Sequence, residues 1–145
     1  MDRETTLALE EDVPAVVAFL GENGGSLSGD KTLPGRYWLT MRPRSAPADI
    51  YFVCLTWTSY PHQAPSVKFA DNVGGSLTVT TAWPNITGYR PSSFDICKPF
   101  AAEGFALHPD WQRGPEAWPI TGNPFFWVAE TLQGDLDLHY GGRAA

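Results

Sequence analysis

The residues best suited to chemistry lie in a stretch without helical or strand periodicity, between residues 82 and 121. Cys97 lies in this stretch, between Ile96 and Lys98-Pro99. The thiolate is the attacking form of cysteine, so a cysteine in a surface loop suits nucleophilic chemistry. A long structureless segment within one domain is usually functional. Cys97 is therefore a candidate nucleophile, and a cysteine simply buried in a loop is the alternative.

Common enzyme signatures are absent from the sequence. It has no phosphate-binding GxxxxGK[ST], no GxGxxG, no GxSxG and no HExxH. The three histidines and two cysteines lack the spacing of a tetrahedral zinc site, so we expect no metal. Cys54 lies within an alternating apolar run and is expected to be a small buried hydrophobe.

The length and the net charge of the chain limit the classes of protein to which it can belong. The chain has 145 residues, which suits one domain, and its 16 acidic and 10 basic residues give a net charge of −6. An acidic protein is a poor match for nucleic acids or anionic membranes. An acidic start without an apolar run argues against a signal peptide, and no stretch is long enough for a membrane helix. We expect a cytoplasmic protein.

Two helices and a sheet are predicted to position the loop. Apolar residues at i, i+3, i+4 and i+7 over residues 13–20, after Asp12 as N-cap, predict a short helix that ends at Gly21. Asn123-Pro124 opens a second helix with a stripe of apolar residues, which is expected to pack on the sheet. The stripe consists of Phe125, Ala129, Leu132 and Leu136.

Four runs between the helices have strand composition, at residues 36–41, 49–58, 66–69 and 76–81. Together they predict a four-stranded antiparallel meander. The chain is expected to form a single α+β domain, 1–145. Its predicted parts are a helix and glycine-rich hinge (1–35), a sheet (36–81), an active-site loop (82–121) and a helix (122–140).

Four motifs occur in a set order: YPHQAPSVKF (60–69), WPNI (83–86), DIC (95–97) and WPIT (118–121). This succession resembles the ubiquitin-conjugating (E2) family. There a YPxxPPxxxF turn and strand leads to an HPN turn, to an ICL segment whose cysteine carries a thioester, and to a Trp-Ser-Pro segment before a helix. The similarity covers roughly residues 36–136.

The sequence also departs from the family pattern. Trp83 replaces the histidine of HPN, Lys98-Pro99 follows the cysteine in place of leucine, and the loop between Ile86 and Ile96 is longer. One helix follows where classical members have three. These features resemble the divergent prokaryotic E2-like proteins of small operons that encode an E1-like enzyme, a ubiquitin-like modifier and a JAB-type metalloprotease. Some such operons act against phage.

The resemblance implies a UBC-like fold and a role for each candidate residue. Cys97 would accept a ubiquitin-like protein from an E1-like enzyme as a thioester and pass it to an amine of a target protein. Asn85 would stabilise the oxyanion of that transfer. Asp95, His108 and Asp110 lie in the loop where the family needs a group to orient or deprotonate the amine. No metal or organic cofactor is implied for this subunit.

Plainer interpretations accompany these roles. Asn85 follows Pro84, and this residue pair is common in ordinary turns. His108 could simply be packed in a loop, and Asp95 could be a loop acid exposed to water. The whole chain could be a catalytically inert E2-variant or RWD-like module that binds a ubiquitin-like protein or an assembly partner. An unrelated α+β binding protein is a third alternative. The first helix could dock on the sheet, recruit the E1-like enzyme or pair with a second copy.

Overall fold

A helix, a four-stranded antiparallel sheet and a second long helix form the body of the protein, in a computed structural model that describes residues 1–119 and 122–145. The α+β prediction is confirmed. The elements in chain order are α1 (Arg3–Glu22), β1 (Ser26–Gly29), β2 (Arg36–Met41), β3 (Tyr51–Thr56), β4 (Ser66–Ala70), β5 (Tyr89–Arg90), β6 (Asp95–Ile96), α2 (Ala102–Leu107) and α3 (Pro124–Leu138). Short 3-10 turns lie at Thr80–Ala82 and Pro109–Arg113.

Helix α1 begins ten residues earlier than the sequence pattern predicts. Its N-cap is Asp2, whose carboxylate accepts a 2.8 Å hydrogen bond from the Thr5 N–H, and not Asp12. The buried stripe extends backwards through Leu9 and Thr5, while Glu4, Glu10 and Glu11, which obscured it in the sequence, are exposed. Pro14, expected in the first turn, therefore lies inside the helix.

The meander exists, but one of its strands was wrongly predicted. The strand order is β1-β2-β3-β4, every neighbouring pair is antiparallel, and the sheet spans residues 26–70, not 36–81. The first three predicted runs match β2, β3 and β4. Residues 76–81 form no strand, and the fourth strand is β1, in a segment that was expected to be part of the hinge region.

Side-chain hydrogen bonds explain why residues 76–81 leave the sheet. The Asp71 carboxylate accepts from the Ser76 N–H at 2.8 Å and closes a turn directly after β4. The Ser76 hydroxyl then accepts from the Thr78 N–H, and a 3-10 turn begins at Thr80. Serine, threonine and aspartate often satisfy the backbone locally in this way and compete with a strand ladder.

Helix α3 confirms the predicted start and stripe. The Asn123 side chain accepts from the Phe126 N–H at 2.9 Å, and Pro124 occupies the first turn. All four stripe residues are completely buried. The helix packs against α1, where the Phe19 and Phe126 rings meet edge to face at 5.2 Å. It ends at Leu138, before the predicted Gly141-Gly142 end.

The predicted irregular loop contains short regular elements. A β5–β6 hairpin, helix α2 and the 3-10 turn at Pro109–Arg113 divide residues 82–119. Buried aromatic residues anchor it, since Trp83 and Phe100 are almost inaccessible to water. Ile120 and Thr121 of the WPIT motif lie outside the described residues.

Within residues 1–119 and 122–145, no helix combines the length and the apolar character that crossing a membrane requires.

Candidate active site

Cys97 lies immediately after the short hairpin, where it is only partly buried. Its backbone N–H donates a 2.8 Å hydrogen bond to the Gly88 carbonyl, which continues the pairing of β5 with β6 by one step. Gly88 lies two residues after the WPNI motif, so this bond ties the cysteine to the segment that carries Asn85. The WPNI and DIC motifs, which have eight residues between them in the sequence, are thus connected through one hairpin.

Cys54 is more deeply buried than Cys97. It lies in β3, opposite Lys68 of β4 and Trp38 of β2, and is 3% exposed. Burial raises the pKa of the Cys54 thiol. The prediction of a buried structural cysteine is confirmed at this position.

The Asp95 carboxylate stabilises the hairpin. Its two carboxylate oxygens accept hydrogen bonds from the Arg90 guanidinium at 2.6 and 2.8 Å, and Ser93 donates a third at 3.2 Å. The bonds from Arg90 hold the pKa of Asp95 below its usual range. This fork-to-fork pair closes the turn between β5 and β6.

The hairpin turn carries backbone strain at Phe94. This residue has φ of 58°, in the left-handed region that a bulky side chain rarely occupies. Lys68, on the adjacent strand β4, donates a 2.7 Å hydrogen bond from its ammonium to the Phe94 carbonyl. The sheet edge therefore stabilises the turn directly, a role for Lys68 that its place in an alternating strand does not signal.

Asn85 is exposed and pairs with residues 140–144, here called the C-terminal segment. Its N–H donates to the Gly142 carbonyl at 2.7 Å, and its carbonyl accepts from the Gly141 N–H at 2.9 Å. The side-chain amide donates to the Gly141 carbonyl at 3.3 Å. The turn that carries Asn85 is thus held by main-chain and side-chain bonds together.

Tyrosine and arginine contacts fix the C-terminal segment on the body of the protein. The Tyr140 hydroxyl is 2.6 Å from both the Tyr51 hydroxyl and an Asp49 carboxylate oxygen. The Arg143 guanidinium lies 4.4 Å from the centre of the Tyr51 ring and donates to the Ile50 carbonyl at 3.1 Å. These contacts were not predicted from the sequence, because the residues of the segment have no periodicity that would place them against the sheet.

His108 lies at the far end of α2, with its ring exposed. The ring stacks on Trp111 at 4.3 Å, with 17° between the planes. Asp110, also exposed, lies in the same 3-10 turn as Trp111. These contacts give His108 a packing partner within its own turn, and the predicted acid–base role stays a prediction.

Lys98 and Asp135 were not recognised from the sequence as part of this region. The Lys98 ammonium lies 3.7 Å from an Asp135 carboxylate oxygen and 5.9 Å from the centre of the Tyr89 ring. The Tyr89 hydroxyl donates to the same carboxylate oxygen at 2.7 Å. Helix α3 therefore reaches the residue next to Cys97, and the sequence signal available was only a lysine beside a cysteine.

A second link joins two of the sequence motifs. The Trp118 indole N–H donates a 2.9 Å hydrogen bond to the Pro61 carbonyl, so Trp118 lies beside the YPHQAP segment. Among the residues that the structure describes, no three histidine, cysteine or carboxylate side chains group in a way that could hold a metal ion.

Comparison of the chain with protein-family models, with curated proteins and with solved structures gives no match.

Proposed function

We propose that this chain is an E2-like conjugating enzyme that carries a ubiquitin-like protein as a thioester on Cys97. The observation that carries the proposal is the link between Cys97 and the Asn85 turn, through the 2.8 Å bond from the Cys97 N–H to the Gly88 carbonyl. A partly exposed thiol, a hairpin that fixes the cysteine, and an exposed side-chain amide three residues before the Gly88 that accepts from the Cys97 N–H support such a transfer. The Trp118–Pro61 bond is a further point in its favour, because it joins two other motifs of the resemblance.

Two acyl transfers make up the proposed reaction. First, the Cys97 thiolate attacks the thioester carbonyl of a charged E1-like enzyme, a new C–S bond forms, and the E1 thiolate leaves. An amine of the target protein then attacks the Cys97 thioester, a C–N bond forms, the amine loses a proton, and the Cys97 thiolate leaves. ATP is consumed by the E1-like partner, and this subunit needs no cofactor of its own.

Asn85 is the candidate for stabilising the oxyanion of the second transfer. A side-chain amide has two N–H donors, and the bond to Gly141 uses one of them. A donor held in place before the reaction stabilises developing charge without reorganisation. Asp95 suits a different role, since both of its oxygens bind Arg90, and we propose that it shapes the hairpin.

The partners follow from the same proposal. They are an E1-like enzyme, a ubiquitin-like protein, a target protein and, in an operon of this type, a JAB-type protease that removes the modifier. We propose a cytoplasmic setting and a role in defence against phage, in keeping with the proteins that the motifs resemble.

An inert module of the same fold is the second candidate. The side chains of Asn85, Asp95 and His108 each have a structural partner, in Gly141, Arg90 and Trp111 respectively. Such contacts would suffice for a chain that only binds a ubiquitin-like protein. A binding module has no use for a reactive Cys97, so thioester formation separates the two proposals.

The test is a non-reducing gel of the protein incubated with ATP and with the E1-like and ubiquitin-like proteins encoded beside its gene. Wild type, Cys97→Ala and Cys54→Ala are compared. The proposal expects a thiol-sensitive adduct with wild type and Cys54→Ala but not with Cys97→Ala. If the E1-like enzyme charges itself and no variant forms the adduct, the enzyme proposal is wrong and the inert module replaces it.

A further inference from the structure

The Lys98 side chain packs against three residues, although it lies next to the candidate nucleophile in the sequence. Its stem lies across Gly88, where a Cβ atom would be 2.8 Å from the Lys98 Cε. Its ammonium faces the Asp135 carboxylate and the Tyr89 ring. Gly88, Tyr89 and Asp135 form what we call the lysine cradle, and it leaves the Lys98 side chain 28% exposed.

Each wall of the cradle contacts Lys98 in a different way. Gly88 has φ of +90°, and any side chain there would collide with the Lys98 stem. Asp135 is 9% exposed, and a buried carboxylate is costly unless it is paired. Tyr89 supplies a hydrogen bond to Asp135 and an aromatic face for the ammonium.

Lys98 is also the amine placed closest in sequence to Cys97. A lysine has a long flexible stem, so the side chain of a neighbouring residue can reach a thioester on Cys97. An amine and a thioester on one chain react without a bimolecular encounter, which favours them over any external acceptor. An unrestrained Lys98 would therefore discharge the thioester onto the protein itself.

We propose that the cradle withholds Lys98 from the Cys97 thioester and so preserves the acyl group for an external amine. The inference rests on the proposed function, because it concerns an acyl group on Cys97. In the reaction that the cradle prevents, the Lys98 Nζ attacks the thioester carbonyl carbon, a C–N bond forms and the C–S bond breaks. The ammonium gives one proton to water before the attack, the attacking amine gives a second to water afterwards, and Cys97 leaves as a thiolate.

The experiment places an acyl group on Cys97 without any partner protein. The probe is a diglycine peptide thioester of mercaptoethanesulfonate, which exchanges onto a free thiol. Wild type and Asp135→Asn are acylated, excess probe is removed, and mass spectrometry measures the peptide left on the protein after thiol treatment. Asparagine keeps the shape of aspartate and an acceptor for Tyr89 but removes the charge that faces Lys98.

The expected result is a several-fold rise of thiol-resistant peptide on Lys98 in Asp135→Asn, which disappears when Lys98→Arg is added. Glu130→Gln, an exposed carboxylate on the same helix, is expected to behave like wild type. Tyr89→Phe provides a second variant, with a smaller rise expected because the ring that faces Lys98 is kept.

The inference is overturned if Asp135→Asn, folded and acylated to the same extent, transfers no more peptide to Lys98 than wild type does. A Cys97 that takes no peptide from the probe also overturns it, since no thioester would then need protection. Because the probe replaces both the E1-like enzyme and the modifier, these outcomes are independent of the gel assay that tests the proposed function.

Discussion

The side-chain amide of Asn85 donates a hydrogen bond to the carbonyl oxygen of Gly141, 56 residues further along the chain. Main-chain bonds on both sides of Asn85 join the same two segments. The turn that is proposed to stabilise an oxyanion is therefore built from two distant parts of the sequence. A fixed donor is more effective than a mobile one because it need not be ordered during the reaction.

Replacing Asn85 is expected to separate the two acyl transfers. In Asn85→Ala, the charging of Cys97 continues, while discharge to free lysine slows about 100-fold, the usual effect of losing one oxyanion donor. Single-turnover discharge of pre-charged protein measures this. Asn72→Ala, which removes an exposed asparagine from the turn after β4, should discharge at the wild-type rate. Equal rates for Asn85→Ala and wild type would remove Asn85 from the mechanism.

The Arg90–Asp95 pair is expected to stabilise the hairpin in a pH-dependent way. Asp95→Asn should lower the free energy of unfolding by about 1 kcal/mol near neutral pH, a modest value because Arg90 is 41% exposed. The pKa of Asp95 is lowered in the folded state, so its contribution is complete above the unfolded value of about 3.9 and is lost as the pH falls through the folded value.

Urea unfolding of wild type and Asp95→Asn at about pH 7 and about pH 3 tests this sign. The difference in free energy of unfolding between the two proteins should shrink at the lower pH. As the pH falls, the Asp95 carboxylate of wild type is protonated in the unfolded chain before it is protonated in the folded protein, which favours the unfolded chain. A difference that grows on acidification would contradict the role given to the pair.

Regular elements with a clear period were predictable, whereas contacts between distant segments were not. The strands β2, β3 and β4 and the stripe of α3 follow from alternation and from helical spacing. The first half of α1 escaped detection because its buried positions include a threonine among many acidic residues. Residues 76–81 have strand composition, but the Asp71 carboxylate closes a local turn there instead.

The candidate site was predictable only in part for the same reason. Cys97, Asn85, Asp95 and His108 stood out because motifs or residue types mark them. Gly141, which holds Asn85, lies 56 residues away, so no local pattern points to it. Arg90 is only five residues before Asp95, but the short hairpin that pairs them has no strand periodicity to mark it. Asp135 was hidden within an amphipathic helix, where a carboxylate normally faces water.

Two helical glycines offer a matched test of packing beside Cys97. A Cβ atom on Gly104 of α2 would lie 2.2 Å from the Lys98 carbonyl oxygen, whereas one on Gly134 of α3 meets nothing within 4 Å. Alanine favours a helix over glycine, so Gly134→Ala is expected to stabilise the protein by about 0.5–1 kcal/mol. Gly104→Ala should instead destabilise it by about 1–3 kcal/mol, because the helix must move away from Lys98.

Thermal or urea unfolding of the two variants measures the contrast. If Gly104→Ala and Gly134→Ala both gained stability, the close contact between α2 and Lys98 would be contradicted. A loss of stability in Gly134→Ala would show instead that helix propensity does not determine the effect of alanine at this position.

The two thiols are expected to react with iodoacetamide at different rates. Cys97 is partly exposed, whereas Cys54 is buried and has a raised pKa, so less of it is thiolate at any pH. Near pH 8, Cys97 should be alkylated in the folded protein, and Cys54 only after denaturation. Peptide mass spectrometry assigns each adduct. Alkylation of Cys54 at a rate equal to that of Cys97 would contradict this account of the site.

The most direct measurement of the central claim locates the bond to the modifier. Wild type and Cys97→Ser are incubated with ATP and with the E1-like enzyme and ubiquitin-like protein that are proposed as partners, and the adducts are mapped by mass spectrometry. The account predicts a thiol-sensitive adduct at Cys97 and, in Cys97→Ser, an oxyester at the same position that resists thiols and yields to mild base. A modifier attached elsewhere, or none at all with a charged E1-like enzyme, would contradict it.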